Sequence, residues 1–480
     1  MARRSSGFLR GCRALAFLLC IRLLCGAAAV SAAEGAGFTL SVPKEVKGYT
    51  RCAVTVFAPE AGEAELRLYD SLDNPWLIRR ETLSAGENSL SWDGLGAGGE
   101  RLLSGPYHME AVLRGESGAE YSAAASFRVR GFAPALALAL PSSDKLYLDG
   151  RENWFVECYV PSECIVAMEI LDGDGNAVYS VSAGMKDADR DILRWNGVGK
   201  NRKKVAPGEY TVRLYPKLNP DFDHVYPLTV EETAPETPAL SVTGPVVPER
   251  GMSDAEIWEI MMKPSAVINE KGSSLRFKLR ESPDPRSPSA GTVCCATQGL
   301  EILALENGWA QVRAWNYDNA GAITGWYPAD KLTVVMPGAH YGVLVDKAAQ
   351  TLTVYQDGVP VGTVPVSTGL PTAKKPQRET PPGAFLTDIH FSPDFAQDGM
   401  RYDYPLRYQG GNIIHSTGFV RIPHAAWSVK DYSKNLPLLG SRASHGCVRV
   451  SPFASADCPV NSYWLWTHLP YHTRVIILPD

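Results

Sequence analysis

Apolar and polar residues alternate along much of the chain, with the two-residue period of a half-buried β-strand. The segment Ala64-Glu-Leu66-Arg-Leu68 has this pattern, and Asp73-Asn74 then provide residue types that favour a turn. Gly342-Val-Leu-Val-Asp346 and Thr351-Leu-Thr-Val-Tyr355 alternate in the same way, and Gln356-Asp-Gly358 is expected to join them as a hairpin turn. The sequence therefore predicts a mainly β protein built from short strands and tight turns.

One segment has the pattern of a short helix instead. Ser253-Asp-Ala-Glu256 has the form of a capping box, in which the two end side chains bond the first free backbone N–H groups. Ile257, Ile260 and Met261 then fall on one helical face, and Pro264 ends the pattern. We expect this helix to follow a linker that is rich in Pro, Thr and Glu.

A pattern in the first half of the chain recurs 103 residues later. Ser89-Leu-Ser-Trp92-Asp-Gly94 returns as Ile192-Leu-Arg-Trp195-Asn-Gly197, and Gly105-Pro-Tyr107 returns as Gly208-Glu-Tyr210. This spacing suits two copies of a sandwich-sized domain, each with a tryptophan in its core. The pattern resembles the immunoglobulin-like (Ig-like) domain of flagellar hook-capping proteins. The resemblance implies a β-sandwich that serves as a spacer or binding module.

A third module is indicated by Leu279-Arg-Glu-Ser-Pro283, Asn307-Gly-Trp309-Ala-Gln-Val312 and Gly325-Trp326-Tyr327. Glycines at strand turns and tryptophans packed inside a small barrel resemble a bacterial SH3-like domain. Such domains bind wall peptides or act as spacers. Trp315 and Tyr317 are candidates for an aromatic groove, although packing is the simpler interpretation of each.

The N-terminus has the pattern of an export signal. Arginines precede an apolar run from Ala14 to Val30, and the small residues Ser31, Ala32 and Ala33 follow. We expect cleavage near Ala32 or Ala33, and we expect the protein to be extracytoplasmic, secreted and cell-wall associated. Arg22 interrupts the run, so an uncleaved anchor is the alternative. Contact with a membrane is expected only through this segment.

Net charge indicates which partners are expected, and the cysteine count indicates which disulfides are. Removing residues 1–33 changes the net charge from −5 to −10, so no nucleic-acid partner is indicated. Of the ten cysteines, seven remain, which leaves at least one free thiol. Cys158 and Cys164 would close a hairpin as a disulfide, or they are buried free thiols.

The C-terminal region carries four motifs in a fixed order. They are Val366-Ser-Thr-Gly369, Thr380-Pro-Pro-Gly-Ala-Phe385, Asn412-Ile-Ile-His415-Ser416 and Ser444-His-Gly-Cys447-Val-Arg449. Together they resemble the L,D-transpeptidase (YkuD-type) catalytic domain of bacterial cell-wall assembly. The resemblance implies a β-rich fold in which a cysteine at the end of a strand faces an open groove.

Cysteine chemistry explains these residue types, because a thiol becomes a strong nucleophile only when it is ionised. The resemblance makes Cys447 the nucleophile and His415 its base, with Ser416 orienting the base through its backbone. Gly446 permits a sharp turn, so that the N–H groups of Gly446 and Cys447 face a developing oxyanion. His445 would line the groove. We expect the pKa of the Cys447 thiol to lie below its ordinary value.

Three residues are candidates for substrate binding: Arg449, Ser444 and Tyr408. Arg449 lies two residues beyond Cys447, on the same face of a continuing strand, and its fork suits a carboxylate. Neither a metal nor an organic cofactor is expected. The alternatives for Cys447 are a structural thiol, a disulfide with Cys458, or a zinc site formed with Cys458, His415 and His445. The one-residue gap in His445-Gly-Cys447 argues against zinc.

One segment departs from the family pattern. Between His415 and Ser444 lie 28 residues, which is longer than is usual in the family. The additional stretch, Gly418 to Ala443, contains Trp427 and Tyr432 and would form a lid. It also contains His424, a rival to His415 as the base. Arg449 stands where some family members carry Asn.

The fold class predicted for the chain is mainly β and multidomain, since 480 residues are more than a single hydrophobic core supports. The predicted segments are a signal peptide at 1–33, Ig-like sandwiches at 34–131 and 132–234, a linker with a short helix at 235–264, an SH3-like barrel at 265–337 and the catalytic domain at 338–480.

The function implied by the resemblance is peptidoglycan L,D-transpeptidation. Donor and acceptor stem peptides are the expected partners, and the product is a 3→3 cross-link. If water takes the acyl group instead, the same site is an L,D-carboxypeptidase. If the thiol is inert, the chain is a non-catalytic wall-binding protein.

Overall fold

The computed structural model describes residues 37–480, apart from residues 49–50, 71–74, 97–101, 103–104, 133–135, 137, 152, 161–163, 186–188, 218–219, 221–222, 270–275, 295–296, 318–320, 391–393, 425–426 and 456. The predicted signal peptide therefore lies outside the described residues, as does Cys295. None of the helices in the described part of the chain has the length and apolar character needed to cross a membrane.

The first module is made of two sheets that enclose one apolar core. Its strands are β1 (Thr39–Ser41), β2 (Glu45–Gly48), β3 (Cys52–Ala58), β4 (Gly62–Asp70), β5 (Pro75–Leu83), β6 (Gly86–Trp92), β7 (Gly105–Gly115) and β8 (Glu120–Phe132). The sheets have the orders β1-β3-β6 and β2-β8-β7-β4-β5. Trp92 is buried in the core, with the ring of Phe127 5.6 Å away.

The second module repeats this strand order. Its strands are β9 (Leu138–Pro141), β10 (Lys145–Tyr147), β11 (Phe155–Val160), β12 (Cys164–Leu171), β13 (Ala177–Met185), β14 (Asp189–Arg194), β15 (Gly208–Pro216) and β16 (His224–Glu231), in sheets β14-β11-β9 and β10-β16-β15-β12-β13. The indole N–H groups of Trp92 and Trp195 each donate a hydrogen bond of 2.9 Å, to the carbonyls of Leu95 and Val198. The two modules therefore share a topology, while the Ig-like assignment stays a prediction.

A helix and a smaller β module follow. Helix α1 (Asp254–Met262) begins with the capping box of Ser253 and Glu256, which confirms that prediction. The strands are β17 (Ser265–Ile268), β18 (Arg276–Arg280), β19 (Ser289–Cys294), β20 (Glu301–Glu306), β21 (Trp309–Asn316), β22 (Gly321–Pro328) and β23 (Leu332–Val335), with a 3₁₀ turn at Ala329–Lys331. They form the sheets β19-β18-β22-β21-β20 and β17-β23. The SH3-like assignment of this module stays a prediction.

The C-terminal region is built on an eight-stranded mixed sheet in the order β27-β35-β24-β25-β26-β34-β31-β30. Its elements are β24 (Tyr341–Asp346), β25 (Thr351–Gln356), β26 (Val359–Ser367), β27 (Gly383–Leu386), β28 (Asp394–Gln397), β29 (Met400–Asp403), β30 (Leu406–Gln409), β31 (Asn412–Ser416), β32 (Val420–His424), β33 (Trp427–Asp431), β34 (Val448–Val450), α2 (Ser462–His468) and β35 (Arg474–Leu478), with 3₁₀ turns at Pro376–Arg378 and Leu436–Leu438. The mainly β class is confirmed.

The β24–β35 sheet also depends on residues before it. Arg474 of β35 is almost fully buried, and its guanidinium donates to the carbonyls of Met261 and Lys263 and to the hydroxyl of Ser265. Burial lowers the pKa of Arg474 to about 10. These bonds satisfy carbonyl groups at the C-terminal end of α1, so the helix and the sheet are one packed unit.

Both sandwich modules contact the C-terminal region. Tyr159 of the second module packs edge-on against Trp466 of α2, with ring centroids 5.8 Å apart. Trp76 of the first module meets Phe453 in the same manner at 6.0 Å, and Arg80 reaches Asp457 at 2.9 Å. The modules are therefore docked on the region that carries the four motifs.

The cysteines of the described residues are all free thiols. Cys158 and Cys164 are both buried in the second module's core, so the structure has the buried-thiol alternative and not the disulfide. Cys447 and Cys458 are likewise unbonded.

Candidate active site

Two neighbouring strands bring the predicted base and nucleophile to the same part of the sheet. Strands β31 and β34 run parallel, with His415 opposite Arg449 and Ile414 opposite Val448. Ile414 and Val448 are buried in the core and hold the strands in this register. Cys447 comes immediately before β34, so its side chain lies at the strand's start.

The loop that carries Cys447 requires glycine at position 446. Gly446 has a φ of +125°, and an added Cβ would come within 2.6 Å of the Oδ1 of Asn412. The hydroxyl of Ser444 donates to the carbonyl of Cys447 at 2.5 Å and accepts from the N–H of Gly446 at 3.1 Å. The N–H of Gly446 is thus directed into the loop, so of the two predicted oxyanion donors only the N–H of Cys447 stays a candidate.

The hydroxyl of Thr380, to which the sequence analysis assigned no role, fixes the position of this loop. Thr380 is fully buried, and its hydroxyl donates to the carbonyl of Gly446 at 2.8 Å. The same oxygen accepts from the N–H of Gly369 at 2.8 Å. Thr380 and Gly369 belong to two of the quoted motifs, so the signal was present, but the hydroxyl's role requires the three-dimensional arrangement.

His415 is held in one tautomer by its neighbour. Its Nδ1 lies 2.7 Å from the carbonyl oxygen of Ser416, and a carbonyl oxygen can only accept. In the neutral ring, Nδ1 therefore carries the proton and Nε2 is free to accept one. Burial lowers the pKa of His415 to about 3, and the nearby Arg449 cation adds to the effect. The imidazole is neutral across the physiological range.

Two aromatic rings enclose the imidazole. Tyr402 meets His415 edge-on with ring centroids 4.7 Å apart, and Phe395 does so at 5.3 Å. Both rings belong to the β28–β29 hairpin, and they stack on each other at 5.0 Å. This enclosure explains why the imidazole is buried, and it fixes the plane of the ring.

The Cys447 thiol is protonated at rest. Its Sγ lies 4.0 Å from the carbonyl oxygen of Gly411. Burial raises the pKa of the thiol, while the N–H of Ile413 and the Arg449 cation act in the opposite direction. The expected depression of this pKa is therefore wrong. The Cys447 thiol and the His415 imidazole are therefore both neutral near pH 7, and the site does not rest as a thiolate–imidazolium pair.

His445 lies on the exposed side of the thiol. Its Nδ1 is 3.7 Å from the Oδ2 of Asp398, at the turn of the β28–β29 hairpin. Partial burial lowers the pKa of His445, and the cations of Arg378 and Arg449 lower it further. The surface around His445 is therefore electropositive and suited to an anionic group.

Arg449 lies between the thiol and the aromatic hairpin. Its guanidinium carbon is 5.7 Å from the centroid of the Tyr402 ring, and its Nη1 is 3.4 Å from the carbonyl of Ala443. The cation of Arg449 lowers the pKa of both His415 and Cys447, so it lies within electrostatic range of each.

Two of the residues predicted to bind substrate, Tyr408 and Ser444, are buried in the structure. Tyr408 is fully buried in the core, with the ring of Phe385 5.4 Å away, so its side chain is beneath the site and not on the groove. Burial raises its pKa well above the ordinary value. Ser444 is also buried, and both of its hydroxyl contacts are inside the Cys447 loop.

The stretch Gly418 to Ala443 forms the β32–β33 hairpin and a following turn. The hairpin is anchored, because Lys430 and Tyr432 both donate to the Oδ2 of Asp403, at 2.5 and 2.7 Å. The side chains of Trp427 and His424 lie outside the described residues, so the choice of His424 as base stays untested.

No group of three potential metal ligands converges anywhere among the residues that the structure describes. Cys458, one member of the zinc alternative, packs instead against the backbone of Gly362 in β26.

The region that carries the four motifs matches a known protein family. Residues 340–477 match the family described as the L,D-transpeptidase catalytic domain, YkuD. This region is an L,D-transpeptidase catalytic domain. The prediction is thereby confirmed for these residues, while the assignments of the modules before them stay predictions.

Solved structures that resemble the chain include three L,D-transpeptidases. The protein from Xylanimonas cellulosilytica is 24% identical over 29% of this chain and 61% of its own, with a TM-score of 0.21. One from Mycobacterium tuberculosis is 20% identical over 35% and 77%, with a TM-score of 0.22. One from Mycobacterium smegmatis is 17% identical over 40% and 96%, with a TM-score of 0.23. No curated protein matches the chain.

Proposed function

We propose that this protein forms 3→3 cross-links between peptidoglycan stem peptides through a thioester on Cys447. The observation that supports this most is the 2.7 Å contact between His415 and Ser416, which leaves Nε2 of the imidazole unprotonated. His415 lies on the strand beside the one that follows Cys447. Acyl transfer by cysteine requires a neutral general base that can reach the thiol, and the parallel pairing of these strands is compatible with this role for His415.

The first half-reaction breaks a peptide bond in the donor stem. The thiol proton of Cys447 moves to Nε2 of His415, and Sγ bonds to the carbonyl carbon of an L-centre that precedes a D-residue. The oxyanion faces the N–H of Cys447. Collapse expels the terminal D-amino acid, whose nitrogen takes the proton from His415. A thioester on Cys447 remains.

The second half-reaction regenerates the thiol. His415 accepts a proton from the amine of an acceptor stem, and the amine nitrogen bonds to the thioester carbon. The Cys447 thiolate leaves and takes that proton back. Arg449 and the cationic surface near His445 would bind stem carboxylates, since a guanidinium fork pairs well with a carboxylate. No metal or organic cofactor takes part.

The modules before the catalytic domain would hold it at its substrate. We propose that residues 1–33 direct export, that the protein acts outside the cytoplasm, and that the two sandwiches and the residues 265–337 dock it on the cell wall. Their contacts with the catalytic domain through Trp76 and Tyr159 suit a fixed arrangement of the modules.

The experiment is mass spectrometry of the full chain with a disaccharide-tetrapeptide. We expect a thioester adduct on Cys447 and a cross-linked dimer, with both absent in Cys447→Ala. A hydrolysed tripeptide as the only product would make the protein an L,D-carboxypeptidase. Binding to isolated walls without any adduct would make it a wall-binding protein.

A further inference from the structure

The stretch Gly418 to Ala443 is joined to the core of the site by a buried carboxylate. Asp403 ends β29, and its side chain is 3% exposed. Its Oδ2 accepts from the Nζ of Lys430 at 2.5 Å and from the hydroxyl of Tyr432 at 2.7 Å. Both donors belong to the additional stretch, so Asp403 links that stretch to the β28–β29 hairpin.

The backbone of Asp403 continues this connection to the base. Its N–H donates to the hydroxyl of Ser416 at 2.8 Å, and that hydroxyl donates to the carbonyl of Thr417 at 2.9 Å. The carbonyl of Ser416 in turn holds Nδ1 of His415. The residue before Asp403 is Tyr402, whose ring packs against the imidazole at 4.7 Å. Asp403 is therefore linked to His415 through hydrogen bonds with a single residue between them, Ser416.

Burial gives these contacts a defined geometry. The side chain of Lys430 is 10% exposed, and its ammonium lies 5.0 Å from the centroid of the Phe419 ring. Tyr432 is fully buried, and Asp403 contributes to raising its pKa well above the ordinary value, after burial itself. Charges held away from water tolerate little displacement, because a separated partner is left without solvation.

The backbone beside Asp403 also indicates a constrained turn. Tyr404 has a φ of +58°, which a non-glycine residue adopts only when its surroundings impose it. The anchored carboxylate is adjacent to this residue and holds the chain as it leaves β29 for β30.

We propose that Asp403 is a positioning residue for the base, and that Lys430 and Tyr432 of the additional stretch hold it in place. The stretch would then support the imidazole through Asp403, which is a role different from that of the predicted lid. Asp403 touches no reacting atom, and it acts through Ser416 and Tyr402 on His415. This inference rests on the proposed acyl transfer by Cys447.

The pH dependence of acylation distinguishes a positioned base from a displaced one. With a neutral thiol and a neutral His415, general-base attack has a rate that does not change with pH between the two pKa values. With His415 displaced, attack requires that the Cys447 thiol has already lost its proton to the solvent. The rate then rises about tenfold per pH unit below the thiol's pKa. We would measure single-turnover acylation of the full chain by a carbapenem from pH 5 to pH 8.

Tyr432→Phe is the principal variant, because it removes one donor to Asp403 while it keeps the ring and adds no charge. We expect acylation at pH 6 to fall between about tenfold and about a hundredfold, with a rate that now increases with pH. Tyr121→Phe is the matched control. It deletes a tyrosine hydroxyl that donates at 2.9 Å to Glu60 on the first sandwich, and we expect a parental rate and profile.

The charged pair provides a second test. Lys430→Met leaves the Asp403 carboxylate buried without its cation, so loss of fold is a possible result. The double variant Asp403→Asn, Lys430→Met removes both charges and retains an amide oxygen for Tyr432. We expect this double variant to fold, as judged by its thermal midpoint, and to show the same pH-dependent acylation as Tyr432→Phe.

Two results would overturn the inference. One is a parental rate in Tyr432→Phe. The other is a rate lowered equally at every pH, which would mean a structural effect without displacement of the base. Failure of the acyl transfer on which the inference rests has a different outcome, because the parent chain would then take up no carbapenem on Cys447.

Discussion

The hydroxyl of Thr380 donates a 2.8 Å hydrogen bond to the carbonyl oxygen of Gly446, next to the nucleophile. Since it also accepts from the N–H of Gly369, one hydroxyl fixes two loops that enter the site from different strands. The position of the thiol therefore depends on a residue that takes no part in the chemistry.

Thr380→Val should lower both stability and acylation. The substitution leaves the N–H of Gly369 and the carbonyl of Gly446 buried without partners, at a cost of about 1–3 kcal/mol each. Denaturant unfolding and single-turnover acylation would measure the two effects. Thr363→Val is the control, because its hydroxyl pairs with Thr353 at an exposed position. Equal behaviour of the two variants would contradict the role of Thr380.

Gly446→Ala should abolish acylation. At a φ of +125° the new Cβ would meet the Oδ1 of Asn412 at 2.6 Å and the carbonyl of Glu379 at 3.2 Å. The loop would have to move, and strained backbone of this kind costs about 1–3 kcal/mol. Gly440→Ala separates backbone strain from collision, since Gly440 has a φ of +83° with open space around it. Adduct formation by mass spectrometry should persist in that control.

His415→Ala should lower acylation by a factor of about 10² to 10⁴ at pH 6 and change its pH dependence. The pKa of His415 is lowered to about 3 and that of the thiol is raised, so both groups are neutral between pH 5 and 8. The parent rate should be constant there, and the variant rate should rise with pH. If acylation in the parent rises with pH as steeply as in the variant, His415 is not the base. His424→Ala is the companion variant, and it should retain the flat profile.

The second sandwich should be held to the catalytic domain more firmly at low pH. Hydrogen bonds to Asp144, at 2.9 Å, and to Asp357, at 2.7 Å, raise the pKa of His340. A raised folded-state pKa gives stability that is fully present below the unfolded value of about 6.5 and is lost as pH rises through the folded value. His340→Gln should therefore lower the thermal midpoint at pH 6 and have little effect at pH 9. A difference that grew with pH would contradict this.

A fragment that starts at residue 235 should be more stable than one that starts at residue 338. The shorter fragment removes all three groups that accept from Arg474, namely the carbonyls of Met261 and Lys263 and the hydroxyl of Ser265. It also removes the Gly299 N–H that donates to Ala384 of β27 at 2.8 Å. Thermal midpoints of the two fragments would test this, and equal values would support the boundary at 338.

Local features were accessible from the sequence because each depends on adjacent residues. Gln356-Asp-Gly358 forms a tight turn, with φ values of +48° at Asp357 and +83° at Gly358, but it joins β25 to β26 and not the two strands that it was predicted to join. The capping box of Ser253 and Glu256 is confirmed, because it depends only on residues within one helical turn. The repeat was visible because the Trp92 motif keeps its spacing, and the shared strand order follows from it.

The remaining features depend on contacts between distant parts of the chain. Asp403 and Lys430 are separated by 27 residues and belong to no repeated pattern, so nothing in the sequence paired them. Burial of Tyr408 and the raised pKa of Cys447 are likewise properties of packing, which residue types near a motif do not determine.

The contact between Trp76 and Phe453 has a mechanical consequence. Phe453 also packs against Tyr432 at 5.4 Å, and Tyr432 bonds Asp403 at 2.7 Å. A displacement of the first sandwich relative to the catalytic domain would thus be transmitted through these aromatic contacts to Asp403 and toward the strand that carries His415.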